Sequence, residues 1–191
     1  MAGRAEALAR YHAETGRHGD LDPGAITTDT EGTVVVHPPR AQPGGDLTEL
    51  LRYASPAVAG RVPSDDVRDD LYSLGAIMYH ELAGQPPFTA DDALGIVHQV
   101  IAVDPPPLGR IRPDLPEPVV AIVHRLLEKA PNRRYASAAS LAADLRRCAA
   151  EVSATGTVAG FDLGAADHGA QFAFPARLYG RQGEARHLIE L

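Results

Sequence analysis

A mainly α-helical chain with one short β-hairpin is what this sequence predicts, on three observations. Residues 68–83 place Leu71, Leu74, Ala76, Ile77, Met78, Leu82 and Ala83 around more than one face, the pattern of a helix buried on most sides. Amphipathic stretches follow at 117–129 and 138–151. Only two β-like runs occur, at 25–28 and 33–36, separated by the turn signal Asp29-Thr30-Glu31-Gly32.

Taken in order, residues 2–15 form a first helix, with Leu8, Ala9, Tyr11 and His12 on one face and Gly16 as its C-cap. Residues 17–46 are loop-rich around the hairpin. His37-Pro38-Pro39 ends the second strand, because proline cannot donate to a ladder. One or two short helices lie within 48–60, around Ser55-Pro56. The helix over 68–83 stops at Gly84. Thr89 is the expected N-cap of a helix over 90–102, with Asp91 and Asp92 complementing its positive end. Within it Leu94, Ile96, Val97, Val100 and Ile101 are read as core packing in preference to a partner face. Asp104-Pro105-Pro106-Pro107 breaks the chain. Val120, Ile122, Val123, Leu126 and Leu127 carry the helix over 117–129. Ser137 caps the last helix, 138–151, in which Leu141 and Leu145 are spaced i, i+4. Residues 152–176 turn Gly/Ala-rich and read as a linker that orders on contact, and 177–191 begin a new element.

Bulk properties narrow the function class. The chain has 191 residues, a net charge of −7 and 45% hydrophobic residues, enough for one domain with a real core. An acidic balance argues against nucleic acid, whose phosphates need a basic patch. No apolar run approaches the roughly 20 residues of a membrane span, and residues 1–6 lack the apolar core of a signal peptide. Cys148 is the single cysteine, so no internal disulfide forms and a cytoplasmic setting is expected.

Five ordered segments carry a resemblance. Leu8 to His12 ends the first helix. His18-Gly19-Asp20-Leu21-Asp22-Pro23-Gly24-Ala25-Ile26 aligns without gaps on H-R-D-L-K-P-x-N-I. Tyr53-Ala54-Ser55-Pro56-Ala57 aligns on Y-x-[SA]-P-E. Asp70-Leu71-Tyr72-Ser73-Leu74-Gly75, with Pro86-Pro87-Phe88 beyond it, matches a central helix and its loop. Lys129-Ala130-Pro131-Asn132-Arg133-Arg134-Tyr135 aligns on K-x-P-x-x-R-Y. Together they resemble the large, C-terminal lobe of the eukaryotic-type Ser/Thr protein kinases, over residues 1–151. No G-x-G-x-x-G occurs, and the small lobe is expected to be absent from this chain. Phe161-Asp162-Leu163-Gly164, Asp167 and Leu178-Tyr179-Gly180-Arg181 resemble the junction of bacterial hybrid proteins. In these a kinase-like domain precedes an AAA/STAND-type ATPase and, often, a sensor histidine kinase. Residues 152–176 are then a linker and 177–191 the start of a truncated ATPase domain. No phosphate-binding loop G-x-x-x-x-G-K-[ST] is present.

The resemblance implies ATP and Mg²⁺ as cofactors, but this chain departs from the pattern at most catalytic positions. Asp20 holds the position of the catalytic base and is the one such group retained. Asp22 stands for the Lys that would neutralise the γ-phosphate, a charge reversal that repels nucleotide unless a cation intervenes. Ala25 stands for the metal-binding Asn, and Pro38-Pro39-Arg40 fills the DFG slot. Leu50 replaces a Thr or Ser, and Gly19 replaces the Arg that receives an activation-loop phosphate. Ala57 replaces the Glu whose partner is Arg134, so Arg134 must find another acceptor. Of the acidic run Asp65, Asp66, Asp69 and Asp70, only Asp70 is expected to turn inward, toward the backbone of the catalytic loop. His12, His18, Asp20 and Asp22 have no common metal-ligand spacing, so no metal site and no bound cofactor are expected.

The expectation is a non-catalytic, pseudokinase-like large-lobe module, regulatory or scaffolding, within a bacterial signalling protein. Its partners are other domains of that protein or another protein, with no nucleic acid and no membrane span. Two alternatives stay open: part of an ATP-dependent Ser/Thr kinase whose small lobe lies upstream, or a truncated remnant without independent function.

Overall fold

The computed structural model describes residues 1–40 and 46–167. Its elements are α1 (Ala2–Thr15), β1 (Ile26–Thr28), β2 (Val34–Val36), α2 (Leu47–Leu51), α3 (Pro56–Ala59), α4 (Arg68–Ala83), α5 (Ala93–Ala102), α6 (Leu108–Ile111), α7 (Glu117–Leu126) and α8 (Ala138–Thr155). The mainly helical large lobe with one two-stranded hairpin is the architecture expected from the sequence. Residues 168–176 of the expected linker and the ATPase-domain start expected over 177–191 lie outside the described residues.

Helix α4 is the axis of the lobe. Every residue from Asp69 to Tyr79 is buried, which explains why its apolar positions show no single face. Burial of each large aliphatic side chain here, Leu71, Leu74 and Ile77 among them, stabilises by roughly 1.5–3 kcal/mol. Gly75 lets α7 approach closely: a Cβ there would lie 2.5 Å from the Cβ of Leu126. Gly84, at φ 77°, ends the helix in the left-handed region, where its N–H donates to the carbonyl of His80.

The hairpin is antiparallel, pairing Ile26 with Val36, Thr27 with Val35 and Thr28 with Val34. Its turn is built by the Asp29 carboxylate, which accepts from the N–H groups of Glu31 and Thr33. Ile26 enters the core, and Val34 and Val36 pack at its edge, which fixes the hairpin between α1 and the loop after it. Helix α1 lies along α8, burying Ala5 and Leu8.

Several boundaries differ from the expectation. Asp92, not Thr89, caps α5: its carboxylate accepts from the N–H of Gly95 at 2.7 Å, and the helix begins three residues later than expected, at Ala93. A carboxylate at that end also meets the positive end of the helix dipole, which a threonine hydroxyl cannot do as strongly. Helix α7 stops at Leu126. Helix α8 runs one turn further, to Thr155, because nothing breaks it before Gly156 at φ 75°. Helix α6 and a 3-10 turn over Pro131–Arg133 are too short for hydrophobic periodicity to reveal. In α5, Ile96 and Val100 are core residues, whereas Leu94 is 77% exposed and Ile101 is exposed as well.

Two polar residues at the start of α4 turn inward. Asp70 does so as expected, but Asp69 does too, at 2% exposure. Asp69 supplies the acceptor that Arg134 needs in place of the missing Glu. The Arg134 guanidinium donates to the carbonyls of Glu128, Lys129 and Arg68 and, at 3.4 Å, to the Asp69 carboxylate. Burial pulls the Arg134 guanidinium below its ordinary range, and Asp69 pulls it back. Cys148 is buried in the core, a packing residue.

Candidate functional site

The loop after α1 is held from below by Asp70. Its carboxylate accepts from the N–H of His18 at 2.7 Å, from the N–H of Gly19 at 2.8 Å and pairs with His12 Nε2 at 2.9 Å. Gly19, at φ 82°, allows the turn that points two successive N–H groups at one carboxylate. His18 is buried and locks the next step of the loop. Its Nδ1 accepts from the N–H of Asp20 at 3.2 Å, so the proton is on Nε2, which donates to the carbonyl of His37 at 2.7 Å. The loop is thereby tied both to the central helix and to the end of the hairpin.

The carboxylates above it are unequal. Asp20 is half-buried, and among the described residues its carboxylate has neither hydrogen bond nor ion pair. Asp22 is fully engaged: one oxygen accepts from the N–H of Ala25 at 2.8 Å, and the other meets the Arg40 guanidinium at 3.0 Å. Arg40 comes from the Pro38-Pro39-Arg40 slot. It is the cation that a carboxylate at position 22 requires, and it belongs to the chain itself. Sequence reasoning missed this pair. The only signal was opposite charge at two positions that both reverse or remove the expected residue.

The donor set does not fit a divalent ion. Mg²⁺ demands an octahedron of oxygens with one or two free carboxylates. Asp22 is already neutralised by Arg40, and Ala25, Pro38 and Pro39 offer no side-chain ligand. Among the described residues no group of three or more His, Cys, Asp or Glu side chains converges as a metal site. His12, His18, Asp20 and Asp22 are near in sequence, but His12 and His18 are occupied with Asp70, His37 and backbone.

Beside Asp20 opens a cavity of about 440 Å³. Its walls are aliphatic, from Leu21, Leu47, Leu50, Leu51, Val58 and Val97, and Arg17 and Arg61 join Asp20 and Asp22 in its lining. Leu50, where a hydroxyl was expected, belongs to this apolar wall and offers Asp20 no hydrogen bond. The Ser55 hydroxyl caps α3 by accepting from the N–H of Val58, with Pro56 at the first helical position. The Tyr53 hydroxyl meets His80 Nδ1 at 2.6 Å, and burial, helped by Glu49, pushes its phenol upward.

A second cavity, of about 570 Å³, lies between Pro107, His124 and Lys129. Lys129 donates to the carbonyl of Val100 at 2.7 Å at the end of α5, and its ammonium lies 4.3 Å from the centre of the Phe88 ring. Burial lowers its pKa from 10.5 to about 8.

No protein-family model matches the chain. Individual relatives do. The chain is 32% identical over 158 residues to the serine/threonine-protein kinase PknB of Mycolicibacterium smegmatis, covering 77% of this chain and 25% of that protein. It is 33% identical over 158 residues to the serine/threonine-protein kinase PknB of Mycobacterium tuberculosis, with the same coverage of 77% and 25%. It is 32% identical over 156 residues to the probable serine/threonine-protein kinase PknB of Bifidobacterium longum, covering 76% of this chain and 22% of that protein. The chain spans about a quarter of the length of the curated relatives it matches.

Two outcomes follow from the site's geometry. Asp70→Ala leaves the His18 and Gly19 N–H groups and His12 without their shared acceptor. It should lower stability by about 3–5 kcal/mol in urea unfolding, the range for breaking a buried charged network. Lys129, with a folded pKa near 8 below its ordinary 10.5, holds fewer protons folded than unfolded between those values. Stability should therefore rise as pH increases from about 8 toward 10.5. Urea midpoints at pH 7.5 and 9.5 should show this rise in the wild type relative to Lys129→Met.

Proposed function

Because the chain belongs to the eukaryotic-type Ser/Thr protein kinase family, we propose that it is a kinase-like large-lobe module that scaffolds or regulates a bacterial signalling protein and transfers no phosphate. The observation that carries this reading is the Asp22–Arg40 pair at 3.0 Å. Phosphoryl transfer is almost entirely positioning and charge neutralisation, with metal ions bridging the phosphates. Here a guanidinium of the chain neutralises Asp22, and the positions that would ligate metal hold Ala25, Pro38 and Pro39. A nucleotide whose phosphates approached would meet the Asp20 carboxylate, which among the described residues has neither an ion-pair partner nor a metal ligand set beside it.

The scaffold is built with the same care that the chemistry lacks. Asp70 organises the loop, Arg134 ties α4 to the turn before α8, and Gly75 seats α7. A lobe so maintained serves recognition: its partners are other domains of the same signalling protein or another protein. Among the described residues no helix is long and apolar enough to cross a membrane.

The second reading is a part of an active ATP-dependent Ser/Thr kinase whose small lobe comes from upstream sequence. Asp20 favours it, since its carboxylate is retained and has no partner among the described residues, on a loop held in place by Asp70. The deciding experiment uses the natural chain, with whatever upstream residues its gene encodes, and radiolabelled ATP with Mg²⁺. No transfer to itself or to a generic basic protein is expected. Transfer that disappears in Asp20→Ala would overturn the non-catalytic reading in favour of the second.

A further inference from the structure

Residues beyond α8 return to the lobe in a patterned way. Val158, Phe161 and Leu163 pack against the core, Gly164 and Asp167 are buried, and Asp162, Ala165 and Ala166 face outward. Phe161, Leu163, Gly164 and Asp167 each meet a specific partner. The Arg147 guanidinium lies 4.1 Å from the centre of the Phe161 ring. Arg125 donates to the carbonyl of Leu163 and, at 2.8 Å, to the Asp167 carboxylate. The other Asp167 oxygen accepts from the N–H of Ala136 at 3.0 Å. The N–H of Gly164 donates at 2.7 Å to Asp144, which also accepts from the Tyr135 hydroxyl at 2.7 Å.

We propose that residues 158–167 are a docking segment, recognised by a built site on the base of the lobe formed by α7, the 135–137 turn and α8. The base is incomplete without the segment. Removing it leaves the Ala136 N–H without its acceptor, and it strips Arg125 of the carboxylate and the carbonyl it reaches while stacking 4.4 Å from the centre of the Tyr135 ring. Asp144, a buried carboxylate, loses one of its two donors. The recognised pattern is Phe161-x-Leu163-Gly164-x-x-Asp167: two apolar anchors, a glycine and an acid. The glycine is required on two counts. Its φ is 73°, and a Cβ there would collide with the Asp167 carboxylate and lie 2.6 Å from the Arg125 guanidinium. The lobe as a structural unit therefore includes residues 158–167. This holds whether or not the lobe binds nucleotide, so it stands or falls independently of the proposed function.

Hydrogen–deuterium exchange on the whole chain tests it, comparing peptides over 158–167 with peptides over α4. In the wild type the segment should be protected at least tenfold over an unstructured peptide, and Gly164→Ala should abolish that protection while α4 remains protected. Arg147→Ala removes the exposed cation over Phe161 together with its ion pair to Glu151, and serves if the first variant fails to fold. It should speed exchange at 158–164 at least threefold with α4 unchanged. A wild-type segment that exchanges at the unstructured rate, or exchange in the segment that neither variant alters, would overturn the proposal.

Discussion

Two adjacent carboxylates at the first turn of α4, Asp69 and Asp70, hold this lobe in register. They lie at the end of the most buried helix and reach in opposite directions. Asp70 takes the two backbone N–H groups of His18 and Gly19 together with His12, and so sets the loop that carries Asp20. Asp69 takes Arg134, and through it the carbonyls of Glu128 and Lys129. A buried carboxylate is tolerable only where donors satisfy it. The burial of α4 and the positions of the loop and the 131–135 turn are therefore mutually dependent.

Above that anchor the electrostatics are closed within the chain. Asp22 is neutralised by Arg40 across 3.0 Å, a pair between a half-exposed guanidinium and a largely buried carboxylate. The apolar wall of Leu47, Leu50 and Leu51 adds no polar group to the Asp20 side. Within this loop the satisfied carboxylate, Asp22, is thereby set apart from Asp20. The same division separates the Asp70 network, which is complete, from Asp20, which has no partner among the described residues.

Much of this was legible in the residues. The helix over 68–83, the hairpin around Asp29 and Gly32, the Ser137 cap and the inward Asp70 all follow from local pattern or from the family frame. The family frame also set the expectations for Asp20, Asp22, Ala25 and the proline-filled slot. Long-range pairings were not legible. Nothing local distinguishes Asp69 from Asp66, yet one is buried against Arg134 and the other is paired with Arg68 on the outside. Asp22 and Arg40 lie eighteen positions apart across the hairpin, and only the fold brings them together. The cap of α5 was misplaced because Thr89, Asp91 and Asp92 all satisfy the same local rule.

The claim at the centre of this account is that Arg40, not a metal ion, neutralises the carboxylate at position 22. Manganese titration followed by paramagnetic broadening of backbone amide signals reports on it directly. At stoichiometric Mn²⁺ the signals of Asp20, Leu21 and Asp22 should broaden no more than those of exposed surface carboxylates such as Asp114. Selective broadening at 20–22 that is lost in Asp20→Ala would show a metal site in working order and contradict the account.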